Sequence, residues 1–180
     1  MSKSKILFQL TGSIACFKAC AVISRLVREG HEVKTACTPS ALQFIGPATL
    51  EGLTGRPVYA DVFEKKQSIE HIALSKWTDL AIVCPATANM MNKMAAGIGD
   101  DAVSTLFLSH DFAKPFLVAP AMNKNMWKHP ATQKSVEILR GWGVDVLPVA
   151  RGRQACGDEG DGRMLEPDAI YAAITAALKK

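Results

Sequence analysis

The sequence has no apolar run near the ~18 residues that a membrane-spanning helix needs. Its longest apolar runs are of strand length. The first, Ile6 to Leu10, lies between Met1-Ser2-Lys3-Ser4-Lys5 and Thr11-Gly12-Ser13. It is too short for a secretory signal, so a cytoplasmic location is expected. There is no strong charge of either sign: 21 basic and 17 acidic residues give a net +4. The basic residues are scattered, without the basic stripe and interleaved aromatics that would mark a nucleic-acid surface. No His, Cys, Asp or Glu set has metal-ligand spacing. Internal repeats, low-complexity tracts and interdomain linkers are also missing, so the 180 residues are expected to form one domain, 1–180, with a sizeable core. With 48% hydrophobic and 21% charged residues, a disordered or collagen-like chain is excluded.

Cysteine is present but does not form a framework. Cys16, Cys20, Cys37, Cys84 and Cys156 are odd in number and irregular in spacing, which argues against disulfides. The first four lie in or beside apolar stretches and read as small core residues. Cys156 sits in the polar, Gly-rich stretch Gln154-Ala155-Cys156-Gly157-Asp158. It is the one thiol that composition leaves unexplained.

What is present is an alternation. Ile6 to Leu10 reads as a buried strand, and Ile14 to Arg28 as a helix stopped by Glu29-Gly30. Val33 to Cys37 is a second strand. Thr38-Pro39-Ser40 then restarts a helix, with Thr38 as N-cap and Pro39 in the first helical position. Leu80 to Cys84, Pro115 to Ala119 and Trp142 to Leu147 are further strands, and Pro167 to Leu178 is a closing helix. Continuous apolar strands alternating with helices imply a parallel sheet covered on both faces, a doubly wound α/β fold. Ligands in such sheets bind beyond the carboxyl ends of the strands, so the turns there are the places to look for chemistry.

Thr11-Gly12-Ser13-Ile14 opens a helix at that edge, where free N–H groups suit a phosphate. It is not G-x-G-x-x-G, so a mononucleotide is expected rather than a dinucleotide. Thr38 and Ser40 stand at the same edge and either close on that phosphate or serve as a helix cap. Pro85-Ala86-Thr87-Ala88-Asn89 is small and polar: either a tight turn, or a place where a flat ring meets the backbone with Thr87 and Asn89 bonding its heteroatoms. In Pro120-Ala121-Met122-Asn123-Lys124-Asn125-Met126-Trp127, Asn123 can offer its amide N–H to a carboxylate, with Met and Trp as an apolar wall. His71 is expected at the edge of an apolar face made by Ile69, Ile72 and Ala73. His31, His110 and His129 read as surface or turn residues. The stretch 154–164 has three glycines between Gly157 and Gly162 and no apolar period. It is expected to be a loop rather than an element, a flap carrying a thiol.

Taken together, Gly12-Ser13-Ile14-Ala15, His71, the Pro85–Asn89 and Pro120–Trp127 segments, and Ala155-Cys156-Gly157-Asp158 to Gly162-Arg163-Met164 resemble the homo-oligomeric flavin-containing cysteine decarboxylases. The resemblance spans nearly the whole chain in the family's order. It implies a flavodoxin-like (Rossmann-like) fold, FMN, and a homotrimer, sometimes stacked as a dodecamer. It implies that Gly12, Ser13, Ile14, Thr38 and Ser40 hold the FMN phosphate, and that Thr87, Ala88, Asn89 and Ala121 meet the ring. Asn123 and Met126 would meet the substrate, with Ala155 and Gly157 in a substrate clamp, 148–166. His71 and Cys156 would be catalytic.

Within the family the implied reaction is decarboxylation of 4′-phosphopantothenoylcysteine to 4′-phosphopantetheine, a step of coenzyme A formation. It would run by thiol oxidation to a thioaldehyde, loss of CO₂ and re-reduction of the enethiolate. His71 would act as base or electrostatic support and Cys156 as the final proton donor. Neither nucleic acid nor membrane is an expected partner. The chain ends at Lys179-Lys180, just after the last helix, so the preceding ligase of that pathway is expected elsewhere. A peptidyl-cysteine oxidative decarboxylase would lack the reducing Cys. A flavin prenyltransferase would leave His71, Asn123 and the Cys loop unexplained, and a non-catalytic regulatory homologue usually carries acidic extensions.

Overall fold

Strand β1, Lys5–Leu10, is buried at every residue but its first. A strand with that pattern must have both faces covered. The computed structural model, which describes residues 3–63, 69–155 and 157–179, shows how. In chain order follow α1 (Cys16–Arg28), β2 (Glu32–Cys37), α2 (Pro47–Thr54), α3 (Glu70–Trp77), β3 (Leu80–Ala86), α4 (Ala88–Ala96) and α5 (Ala102–Leu108). Then come β4 (Phe116–Pro120), α6 (Lys124–Lys128), α7 (Pro130–Gly141), β5 (Asp145–Val146), β6 (Ala150–Arg153), β7 (Glu159–Arg163) and α8 (Pro167–Ala177).

The first five strands form a parallel sheet in the order β2-β1-β3-β4-β5. This is the doubly wound arrangement, with the order reversing at β1. Alternate residues feed two cores. Ile6, Phe8, Leu10, Ile82 and Cys84 pack with Val22, Ile23 and Leu26 of α1 and Ile170 and Ile174 of α8. Leu7, Ala81, Val83 and Val118 pack on the opposite face with Met90, Met91 and Met94 of α4, Phe107 of α5 and Leu139 of α7. The three methionines are thus core of their own chain. Cys16, Cys37 and Cys84 are buried and Cys20 partly so. Burial pushes the Cys16 thiol up to about 11 and Cys37 up to about 12, and raises Cys20 and Cys84 as well. These thiols stay protonated at neutral pH and are poor nucleophiles.

Several expectations need correction. The Thr38 helix is a single 3₁₀ turn, Ala41–Gln43, with Thr38 Oγ1 accepting from the Ala41 N–H at 3.1 Å. The helix proper starts at Pro47, because Gly46 before it is held extended. The fifth strand shrinks to Asp145–Val146, since Trp142 still caps α7 and Gly143 reverses the chain at φ 88°. The glycine-rich stretch is a loop only in its first part, since Glu159–Arg163 is a strand. With β6 that strand forms an antiparallel hairpin, β6–β7. Its glycines serve the turn, Gly157 at φ 90°, and a close approach, Gly162 at φ 118°. Helix α5 was not anticipated, although Val103, Leu106 and Phe107 recur at helical spacing and are buried. A further signal is a capping box, in which Asp101 accepts from the Ser104 N–H and the Ser104 side chain answers the Asp101 N–H.

Two of the histidines read as surface or turn residues lie between elements but are buried. These are His31 and His110, 7% and 8% exposed, while His129 is exposed and caps α7 through Nδ1. The His110 ring meets Phe112 and Phe116 edge-on, at 5.3 and 4.8 Å between centroids, and its Nε2 donates to the Lys114 carbonyl at 3.1 Å. Burial holds its pKa below the ordinary value. The unfolded chain therefore takes up the proton first as pH falls. The contribution of His110 to stability is complete above pH ~6.5 and declines as pH drops from there through the folded-state value. Urea midpoints of wild type and His110→Phe at pH 7 and pH 5 test this. The variant should lose less between the two, and equal losses would exclude His110 as the source.

Candidate active site at the carboxyl edge of the sheet

The carboxyl ends of β1, β2, β3 and β4 carry the four turns singled out above. Thr11 ties two of them together. Its Oγ1 donates to the Pro85 carbonyl at 2.7 Å and accepts from the Thr87 N–H at 3.0 Å. Gly12 ties in the third: a Cβ there would lie 2.7 Å from Cβ and Oγ of Ser40, so any larger residue would push Ser40 aside. Thr38 and Ser40 hydroxyls share a 3.1 Å hydrogen bond. Thr87 caps α4 by accepting from the Met90 N–H, which is a local structural duty for a residue expected at a ring.

The turn at Gly12 contributes to two clefts, Thr11 to one and Ser13 to the other. One, of about 320 Å³, is lined by Thr11, Thr38, Ser40, Thr87, Asn89 and the Lys93–Asp100–Asp101 ion-pair group. The other, of about 470 Å³, is lined by Ser13, Ile14 and Phe17 on one side, Ala121, Met122 and Asn123 on a second, and Gln154, Ala155, Gly162 and Met164 on a third. Expected site residues therefore divide. Thr38, Ser40, Thr87 and Asn89 share the first cleft, and Ser13, Ile14, Ala121, Asn123 and Ala155 the second, while Gly12 joins Thr11 of the one to Ser13 of the other. Ala88 is buried at the start of α4, Met126 is half-exposed on α6, and Gly157 is exposed in the hairpin turn.

Asn123 is the N-cap of α6, its Oδ1 accepting from the Asn125 N–H at 2.8 Å. Toward a carboxylate the amide nitrogen is the donor of this side chain. Cys156 lies outside the described residues.

His71 is not brought to Asn123 within one chain. It stands in the first turn of α3 and lines neither cleft. Its carbonyl accepts from Ser109 Oγ at 3.4 Å, and its Nδ1 is buried with no hydrogen-bond partner among the described residues. The apolar face expected beside it is not turned inward. Ile69 is 72% and Ile72 42% exposed, while Leu74 and Ser75 face the core. Lys114 fixes the far end of this helix, its ammonium donating to the carbonyls of Ser75, Lys76 and Thr78.

Sequence reasoning missed Thr11, Phe17, Lys18, Gln154 and Met164. Lys18 and Arg163 both pair with Glu166, whose carboxyl they hold below its usual range. Gln154 had a visible signal, an amide directly before Ala155-Cys156-Gly157. Phe17 had none: its 64% exposure breaks the rule that a helix hides its aromatics.

The family profile described as Flavoprotein matches residues 1–179. The chain belongs to this flavoprotein family. It is similar to the coenzyme A biosynthesis bifunctional protein CoaBC of Vibrio vulnificus, 41% identical over 174 residues, 96% of this chain and 43% of that protein. It thus spans less than half the length of the curated relatives it matches. Among solved structures, a PPC decarboxylase mutant complexed with pantothenoylaminoethenethiol matches with TM-score 0.89 and 30% identity, over 99% of this chain and 100% of the other. The FMN-binding protein AtHal3 matches with TM-score 0.85 and 32% identity, over 97% and 96%. The fold of this flavoprotein is that of these neighbours. No helix among its described residues is long and apolar enough to cross a membrane, and no cluster of His, Cys, Asp and Glu among them could hold a metal ion.

Proposed function

We propose that this flavoprotein decarboxylates 4′-phosphopantothenoylcysteine to 4′-phosphopantetheine with FMN. The observation that carries the reading is the second cleft. It is an apolar pocket at the carboxyl edge of the sheet, closed on one side by Asn123 and on another by the β6–β7 hairpin. The relatives named above support both the substrate and the cofactor.

The residues present fit FMN. Gly12 lies against Ser40, so that a side chain at residue 12 would displace the Ser40 hydroxyl, which stands with that of Thr38 near the start of α1. Ser13 and Ile14 would complete the phosphate site. Thr87, Ala88, Asn89 and Ala121 would meet the ring. Bound FMN would supply a two-electron acceptor and donor, and the chain does the rest. The Asn123 amide would hold the substrate carboxylate. Ile14, Phe17, Met122 and Met164 would exclude water from a step in which a charged carboxylate becomes neutral CO₂. His71 would assist removal of the thiol proton, and Cys156 would give a proton to the carbon once joined to the carboxylate.

His71 lines neither cleft of its own chain, so a site completed by a second copy fits this reading. Exposed Ile69 and Ile72 beside it would then be covered by the neighbour in a homotrimer, alone or stacked as a dodecamer. A metabolite as substrate fits a cytoplasmic location. Met126 and Ala155 with Gly157 would flank the substrate, the hairpin serving as clamp.

The cofactor half of the reading is tested by purification. The chain should be yellow and release one FMN on denaturation, and Gly12→Val should fold yet retain almost none. A colourless protein that cannot be loaded with FMN, or a Gly12→Val variant with full FMN, would overturn the assigned phosphate site.

A further inference from the structure

The hairpin is held to the Asn123 turn chiefly by one side chain. Gln154 Oε1 accepts from the Lys124 N–H at 3.1 Å, and its Nε2 donates to the carbonyls of Met122, at 3.4 Å, and Asp161, at 3.0 Å. Met122 and Lys124 are the two neighbours of Asn123. One amide therefore grips the chain on both sides of Asn123 while binding β7 from the residue that follows β6. The backbone closes around this grip. The Met122 N–H donates to the Gly162 carbonyl at 2.9 Å, and Gly162 passes so close that a Cβ there would lie 2.6 Å from the Met122 oxygen. An ion pair of Lys124 with Asp158, at 3.4 Å, supports the same contact from outside.

We propose that Gln154 is a positioning residue that couples the carboxylate-binding amide of Asn123 to closure of the hairpin, and so decides whether the oxidised intermediate is retained long enough to be reduced. This rests on the decarboxylase reading. In the first half of the reaction the acylated cysteine loses CO₂ and, in net, one hydride to the cofactor. The electron pair of the broken C–C bond becomes part of the new C=C bond, leaving an enethiol. In the second half that hydride and one proton add across the C=C bond, giving the saturated thiol. Between the halves the enethiol has lost its carboxylate and with it the hold of Asn123, so only the closed hairpin retains it. If it escapes in air, dioxygen takes the hydride and a proton to become hydrogen peroxide.

The test uses Gln154→Met, nearly the same volume without the amide, in the FMN-loaded chain. Amide hydrogen exchange in 150–153 and 159–163 should rise at least about tenfold. Part of the product should appear as unsaturated thiol with an equal yield of peroxide, while CO₂ release per FMN changes far less. Gly162→Ala, which leaves the Gln154 side chain intact but wedges the hairpin from the Met122 carbonyl, should do the same. Unchanged exchange in Gln154→Met, or raised exchange with fully saturated product, would overturn the proposal. A wild-type chain that releases no CO₂ from this substrate defeats the decarboxylase reading and the partitioning with it; the exchange experiment still decides whether Gln154 docks the hairpin.

Discussion

Asn123→Asp will release essentially no CO₂ from 4′-phosphopantothenoylcysteine while folding and binding FMN as the wild type does. Fold and function separate at this residue because its two amide atoms face different tasks. Oδ1 caps α6 by accepting from the Asn125 N–H, and Asp is as good an N-cap as Asn. The donor is what the substitution removes, and a carboxylate takes its place opposite the substrate carboxylate. Two like charges in a cleft walled by Ile14, Phe17, Met122 and Met164 repel by several kcal/mol. A loss in kcat/KM on the order of a thousandfold follows. Thermal unfolding, FMN content and single-turnover CO₂ release measure the parts separately. Turnover near wild type with FMN retained would remove Asn123 from the carboxylate site. Asn123→Ala should lose less activity but more stability, because it drops the cap without adding the charge.

Cys156→Ser is expected to split the reaction rather than stop it. CO₂ should still be released, since decarboxylation needs the carboxylate, the thiol and an electron acceptor but no acid at residue 156. The product should be the oxidised enethiol. A serine hydroxyl is a far weaker acid than a thiol, and removing a general acid costs a step on the order of 10²–10⁴-fold. Mass analysis of the product distinguishes the outcomes, and a normal yield of 4′-phosphopantetheine would exclude Cys156 as the proton donor. The buried thiols make this assignment selective. Cys16 and Cys37, pushed up to about 11 and about 12 by burial, sit in the core and are not placed to stand in for it.

The two variants also separate the clamp from the chemistry. Cys156→Ser should stop reduction with the hairpin docked, whereas Gln154→Met should let the same enethiol leave from a loosened hairpin. The exchange behaviour of 159–163 tells the two apart.

The sheet was readable because its strands are short apolar runs that burial on both faces demands: Ile6 to Leu10, Val33 to Cys37, Leu80 to Cys84 and Pro115 to Ala119 all lie within the observed strands or within one residue of them. What was less readable depended on groups far apart in sequence. The β6–β7 hairpin has no alternation of its own, because it rests against α6 through Gln154 rather than through an apolar face. His110 is an exception, buried by the nearby Phe112 and Phe116, which lie in a turn and a strand and share no helical or strand period with it. Ile69 and Ile72 follow a helical spacing, yet they face outward because α3 docks through Leu74 and Ser75 instead. At the site, each turn was visible in the sequence by its small and polar residues. Their joining was not: the Thr11 bond to Pro85 and the Gly12 contact with Ser40 cross long stretches of chain.

One measurement tests the decarboxylase reading most directly. The purified chain, loaded with FMN, is incubated without air with 4′-phosphopantothenoyl-L-cysteine, and CO₂ and 4′-phosphopantetheine are counted. Many turnovers are expected, with the two products in equal amounts, because the hydride taken in the first half returns in the second. CO₂ that stops at one equivalent per FMN, with only enethiol formed, would contradict that reading, as would no CO₂ at all from an FMN-loaded chain.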